Sequence, residues 1–246
     1  MFSKEVKETY PLFRFGELEK FMTAYEDRYY AGEIPKTKKP SELLGHKGIM
    51  LLLHILQRSR AIFTGFVDCV NLTHVVLAYL AARAHFETTG SIAYLLWNLR
   101  RFYKEEINQT EIEDLFSRLM LGSRTSDVKD FIPERLEAIN VLTQINTADK
   151  LFKEIGGGEE KIFLNCYDFL SEYCHPNMLG LSVGSEVTEE DHIVFYEKAK
   201  FKDEHFGVLI NYMLISCRLF FHMYDKSFAL LKDHEVMPDL LKPNHH

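Results

Sequence analysis

Cysteine is sparse in this 246-residue chain, and none of it is arranged for chemistry. Cys69, Cys166, Cys174 and Cys217 make no C-x-x-C pair and lie within apolar runs. That spacing excludes dithiol redox and zinc-ribbon motifs and predicts buried free thiols in a reducing cytoplasm. The opening residues, MFSKEVKETYPLF, lack the apolar core of a secretory leader. An uninterrupted hydrophobic span is missing as well. Residues 61–82 are long enough to cross a bilayer, but Asp68, Asn71, Thr73 and His74 occupy the middle, where a charge is costly in lipid, so no membrane span is expected. There is no internal repeat, no low-complexity tract and no linker long enough to force two domains. Gly156-Gly157-Gly158 lacks the strand before it and the Lys-Ser/Thr after it that a phosphate loop requires, and reads as a linker.

What is present is the composition of an ordinary globular protein, 46% hydrophobic and 26% charged, with ample length for one large core. A net charge of −7 disfavours a broad nucleic-acid footprint while leaving room for a local basic patch. The best such patch is Arg100, Arg101 and Lys104 beside Trp97 and Tyr103, which also fits a solvated helix end. The 19 Phe and 12 Tyr suit interlocking helices and permit a homodimer.

Apolar periodicity and its punctuation predict a mainly α fold, a single-domain bundle of about six to seven helices with a short β-hairpin near 181–196. Residues 1–40 read as an N-terminal helix near 17–30 plus a basic, proline-bounded connector, and 41–240 as the bundle domain. Ser41 is placed to cap a helix reaching Phe66, and a long apolar helix is expected from about Cys69 to Tyr103, with Gly90 giving either a close helix approach or a kink. Asn108 or Thr110 can cap a short helix that Gly122 ends. Pro133 fits the first turn of a helix running to Ile155, Glu159 and Glu160 favour the start of the next through its dipole, and Pro176 stops it. The last helix is expected over 203–231.

The most informative segment is Val75–Leu99. Apart from two tyrosines its only ionisable groups are Arg83, His85 and Glu87. A helix apolar on nearly every face is a buried one, and buried charges persist only when paired. Arg83 and Glu87, one turn apart, share a face with Val76, Leu80 and Tyr94, while His85 points the opposite way. Two readings of the pair stay open: an ion pair that sets helix register, or an arginine that binds an anion. A second polar edge is Tyr167, Ser171 and His175 at i, i+4 and i+8, followed by Pro176 and Asn177. His175, where the helix must end, is either a capping imidazole or a site histidine. No G-x-S-x-G elbow surrounds Ser171. Glu189-x-x-His192 has the spacing of a carboxylate-bundle metal motif but falls in the expected hairpin, so no metal and no cofactor are expected.

The turn Arg83-x-x-x-Glu87, followed downstream by Tyr167-x-x-Leu170-Ser171-x-x-x-His175-Pro176, resembles a group of uncharacterised bacterial all-helical domains that are in turn similar to HEPN-type proteins. The resemblance implies that the arginine–glutamate turn packs against the serine–histidine segment. The HEPN comparison implies a metal-independent ribonuclease or toxin component whose arginine is followed by a histidine after four to six residues. No arginine here has that spacing; Arg218 and His222, with three residues between them, come nearest and would share a helical face. The expectation is a cytoplasmic bacterial protein that binds a protein partner or small ligand through Arg83, Glu87, Tyr167, Ser171, His175 and Asn177, with the ribonuclease as the alternative.

Overall fold

The computed structural model describes residues 1–37, 39–122, 136–156, 158, 161–197, 199–236 and 238. Among these residues the chain forms nine α-helices and one two-stranded hairpin. They are α1 (Lys4–Thr9), α2 (Phe15–Arg28), α3 (Pro40–Asn71), α4 (Val75–Tyr103), α5 (Gln109–Leu121), α6 (Val141–Glu154), α7 (Ile162–Cys174), α8 (Met178–Leu181), β1 (Ser185–Val187), β2 (Ile193–Phe195) and α9 (Asp203–His234). The fold is mainly α with a short hairpin before the last helix.

The apolar helix α4 is the axis of the bundle, packed against α3, α6, α7 and α9. Its inward positions, among them Phe86, Ile92, Leu95, Leu96 and Leu99, are fully buried. The N-terminal helices join the same core through Phe2, Val6, Phe15, Leu18 and Tyr25. Gly90 is a point of close approach and not a kink: α4 runs through it unbroken, and a Cβ there would sit 3.2 Å from the backbone carbon of Gln144 on α6. Ser91 ties the same seam by donating to the Gln144 side-chain carbonyl at 2.6 Å. Helix α9 is the one described helix long and apolar enough to cross a membrane, and 61% of its most apolar window is buried within the bundle.

Several boundaries differ from the sequence expectation. The apolar run from Cys69 is not one helix, since α3 ends at Asn71 and α4 starts at Val75. Thr73 takes a left-handed φ of 55° at the corner, and the His74 N–H donates to the Cys69 carbonyl at 2.8 Å. Ser41 is not the cap of α3; Pro40 opens the helix, where its missing N–H costs nothing. Helix α6 begins at Val141, with the Asn140 side chain accepting from the Leu142 N–H, and Pro133 lies outside the described residues. Glu159 and Glu160 also lie outside them. The α7 N-terminus is instead capped from a distance: Asp149 on α6 accepts from the N–H groups of Phe163 and Leu164 at 2.7 and 2.9 Å. The expected strand from Leu181 is mostly helical, formed by α8 and a 3-10 turn over Ser182–Gly184, with only Ser185–Val187 extended. Of the two candidate caps for α5, Asn108 and Thr110, Asn108 is the one used, and it forms a capping box with Glu111.

Candidate functional site

Arg83 and Glu87 face α7, and Tyr167 on that helix joins them. The Arg83 Nη2 donates to the Tyr167 hydroxyl at 3.1 Å, and that hydroxyl donates to Glu87 Oε1 at 3.2 Å. Arg83 Nε lies 3.4 Å from the same carboxylate oxygen, within ion-pair reach but not aligned as a hydrogen bond. The guanidinium carbon is 5.3 Å from the centre of the Tyr167 ring, a cation–π arrangement. Burial pulls the guanidinium pKa down, but Tyr167 and Glu87 more than offset it, so Arg83 stays charged. Burial pushes the Cys174 thiol up, and the neighbouring Arg83 only partly counters it.

The pair is not sealed in the core. The Arg83 side chain is 24% exposed and that of Glu87 32%. The helical wheel of α4 explains this, because Val76 and Leu80 on the same face are also exposed. A part-solvated pair loses less on disruption than a fully buried one. Arg83→Met or Glu87→Leu alone is therefore expected to cost about 1–2 kcal/mol in urea unfolding, with the double variant close to wild type.

Of the residues expected opposite Arg83, Tyr167 is the one that hydrogen-bonds to it, while the hydrogen bonds of Ser171, His175 and Asn177 run elsewhere. Seven residues are two helical turns to within about 20°, so Cys174 lies nearer the Tyr167 direction than Ser171 or His175. Ser171 Oγ donates to the Tyr167 carbonyl of its own helix at 2.8 Å. His175 is the extended C-cap of α7, its N–H donating to the Ser171 carbonyl and its side chain exposed. Asn177 caps α8 by accepting from the Gly180 N–H, and donates to Glu172 at 2.6 Å. Arg218 pairs with Glu17 on α2, and no hydrogen bond joins it to His222.

A larger polar network was hidden from the sequence. His85 is fully buried on the other face of α4. Its Nε2 lies 2.8 Å from the Tyr25 hydroxyl and 3.0 Å from Ser59 Oγ, and its Nδ1 lies 2.8 Å from Ser216 Oγ. Tyr25 and Ser59 also bond each other at 2.6 Å, as do Thr89 and Ser216 at 2.9 Å. Burial pushes the His85 pKa down to about 3, so the ring is neutral. Neutral, satisfied and closed to solvent, this network links α2, α3, α4 and α9 and has nothing to offer a ligand.

Two short motifs escaped the sequence reading, and a scan of every serine and histidine finds both. Gly180-Leu-Ser182-Val-Gly184 has G-x-S-x-G spacing, and Ser182 lines a cavity of about 50 Å³ with Tyr79, Tyr173 and His205. A nucleophile elbow needs a strained strand-to-helix turn, whereas Ser182 follows a helix in an ordinary 3-10 turn, and its hydroxyl donates to the Leu179 carbonyl. His205 Nδ1 is 2.7 Å from the Tyr173 hydroxyl, whose ring stacks on Tyr79 at 4.0 Å. Glu172-x-x-His175 repeats the spacing of Glu189-x-x-His192, yet no group of three potential ligands is placed to hold a metal ion among the described residues. Compared with protein-family models, curated proteins and solved structures, the chain matches none.

Proposed function

We propose that the protein is a binding protein that uses Arg83 to engage an anionic group, a carboxylate or a phosphate, carried by a small ligand or a protein partner. The observation that carries this reading is the incomplete satisfaction of the guanidinium. Of its five N–H donors, among the described residues one makes a hydrogen bond of good geometry, to Tyr167, with the Glu87 carboxylate and the Cys174 thiol beside it, while part of the side chain is open to solvent. Tyr167 and Glu87 hold the group in one orientation, which lowers the ordering cost of binding. Glu87 keeps the free site close to neutral, and an incoming anion with two oxygens gives the remaining donors a bidentate partner. The exposed side chains of Val76 and Leu80 extend the same helix face with apolar contact area. A metal-independent ribonuclease draws less support, because Arg218 is committed to Glu17.

Thermal unfolding with and without inorganic phosphate tests the reading. A ligand at a hundredfold excess over its Kd adds about 2.7 kcal/mol, which raises the melting temperature of a chain this size by roughly 5–11 °C. That rise is expected for wild type and for Ser171→Ala, and its loss for Arg83→Gln. Equal rises in wild type and Arg83→Gln would count against Arg83 as the anion site.

A further inference from the structure

A guanidinium offers an anion two forks, a side edge made by Nε and Nη2 and an end made by Nη1 and Nη2. In Arg83 the side edge is taken. Its Nη2 donates to the Tyr167 hydroxyl at 3.1 Å, and its Nε stands 3.4 Å from Glu87 Oε1. The Tyr167 hydroxyl donates to that same oxygen at 3.2 Å, so phenol and carboxylate brace each other. Nε is sealed from solvent without a hydrogen bond, whereas Nη1 is not sealed and has no hydrogen-bond partner among the described residues.

We propose that the anion meets Arg83 end-on, across Nη1 and Nη2, and that Glu87 stays in place and selects a single negative charge. The ligand class is then an organic monocarboxylate in preference to a dianionic phosphate or sulfate. This inference rests on the reading of Arg83 as the anion site. Glu87 stays because Tyr167 holds it, and because its departure would strip the counter-charge from a sealed Nε. A retained carboxylate repels a monoanion once and a dianion twice. At about 6 Å in water one such repulsion lowers affinity by a factor of about three, and two by its square, about tenfold. Among the described residues Arg83 is the one cation within ion-pair reach of Glu87. The nearby Cys174 thiol, which burial keeps protonated, adds no charge of its own. Val76 and Leu80, exposed on the same face of α4, suit the apolar body of a carboxylic acid.

NMR titration of the full chain at pH 7 and constant ionic strength tests this, with sodium acetate and sodium sulfate as probes. The Tyr167 ring signals, present in every variant, report binding. Glu87→Gln removes the charge and still offers Tyr167 an acceptor oxygen. Relative to wild type it is expected to bind acetate about threefold and sulfate about tenfold more tightly, while Arg83→Gln abolishes the response to both. Far-UV circular dichroism checks that the variants keep the helical fold. Equal gains for the two anions in Glu87→Gln, or no gain, overturn the charge selection and leave the Arg83 site standing. Wild type and Glu87→Gln both silent to either anion, or a response that survives Arg83→Gln, overturn the site itself and the selection with it.

Discussion

Between pH 6.5 and pH 4 the folded chain is expected to lose about 3 kcal/mol of stability through one residue, His85. In the unfolded chain its imidazole titrates near the ordinary 6.5, whereas burial in the network pushes the folded value down to about 3. The unfolded state therefore takes up a proton first as the pH falls. The contribution is full above pH 6.5 and declines by about 1.4 kcal/mol per unit until the folded ring titrates. Among the described residues, the titratable groups that face the ring do not offset this. Burial raises the pKa of both Tyr25 and Cys217, whose Sγ lies 3.9 Å from Nε2, so neither becomes charged in this window. Urea unfolding at steps of pH, wild type against His85→Leu, isolates the effect, because the surface carboxylates are common to both. The leucine variant keeps the Tyr25–Ser59 and Thr89–Ser216 bonds, and its curve is expected to be flatter by about one proton. Parallel curves would mean that His85 is not held neutral. At pH 7, His85→Ala is expected to cost about 3–4 kcal/mol, the sum of a cavity and lost hydrogen bonds.

Gly90→Leu is expected to destabilise the chain by about 3 kcal/mol or more, lowering the melting temperature by roughly 6–12 °C. The axes of α4 and α6 meet where Gly90 faces the backbone of Gln144 and Ile145, and backbone cannot rotate away as a side chain can. A leucine must push the helices apart and break the Ser91–Gln144 bond with them. Gly90→Ala is expected to fall near wild type, since the helix propensity gain of about 1 kcal/mol opposes a methyl only 3.2 Å from the Gln144 backbone. Calorimetry of the two variants separates this account from one in which Gly90 is a hinge, for which alanine alone would be harmful or the two would be alike.

Local chemistry made much of this fold legible. The Asn108–Glu111 capping box, the stop at Gly122, the end of α7 before Pro176 and the long final helix are all written in adjacent residues. The corner at Leu72–His74 was not legible, because it is made by Thr73 in a left-handed conformation with no glycine or proline to announce it. Asp149 as the cap of α7 was hidden for a different reason: it acts across 14 residues from another helix.

At the site, the wheel of α4 correctly set Arg83 and Glu87 on one face and His85 on the other. It could not supply partners, which for His85 come from 26 to 131 residues away. The i, i+4, i+8 series on α7 drifts around the helix, so Tyr167 meets Arg83 while His175 leaves the helix altogether. An apolar stretch also need not be buried on every side. The exposed leucine and valine side chains at the start of α4 look the same in sequence as core positions, and only their lack of neighbours reveals a surface.

The most direct test of Arg83 as an anion-recognition point is the ¹⁵N and ¹H resonance of its own Nε–H during titration with inorganic phosphate. The account predicts a saturable shift of that resonance, accompanied by the Tyr167 ring signals, with the amides around His85 unmoved. A resonance that stays fixed through the titration while the chain remains folded would contradict it, and would leave Arg83 as a clamp between α4 and α7 and nothing more.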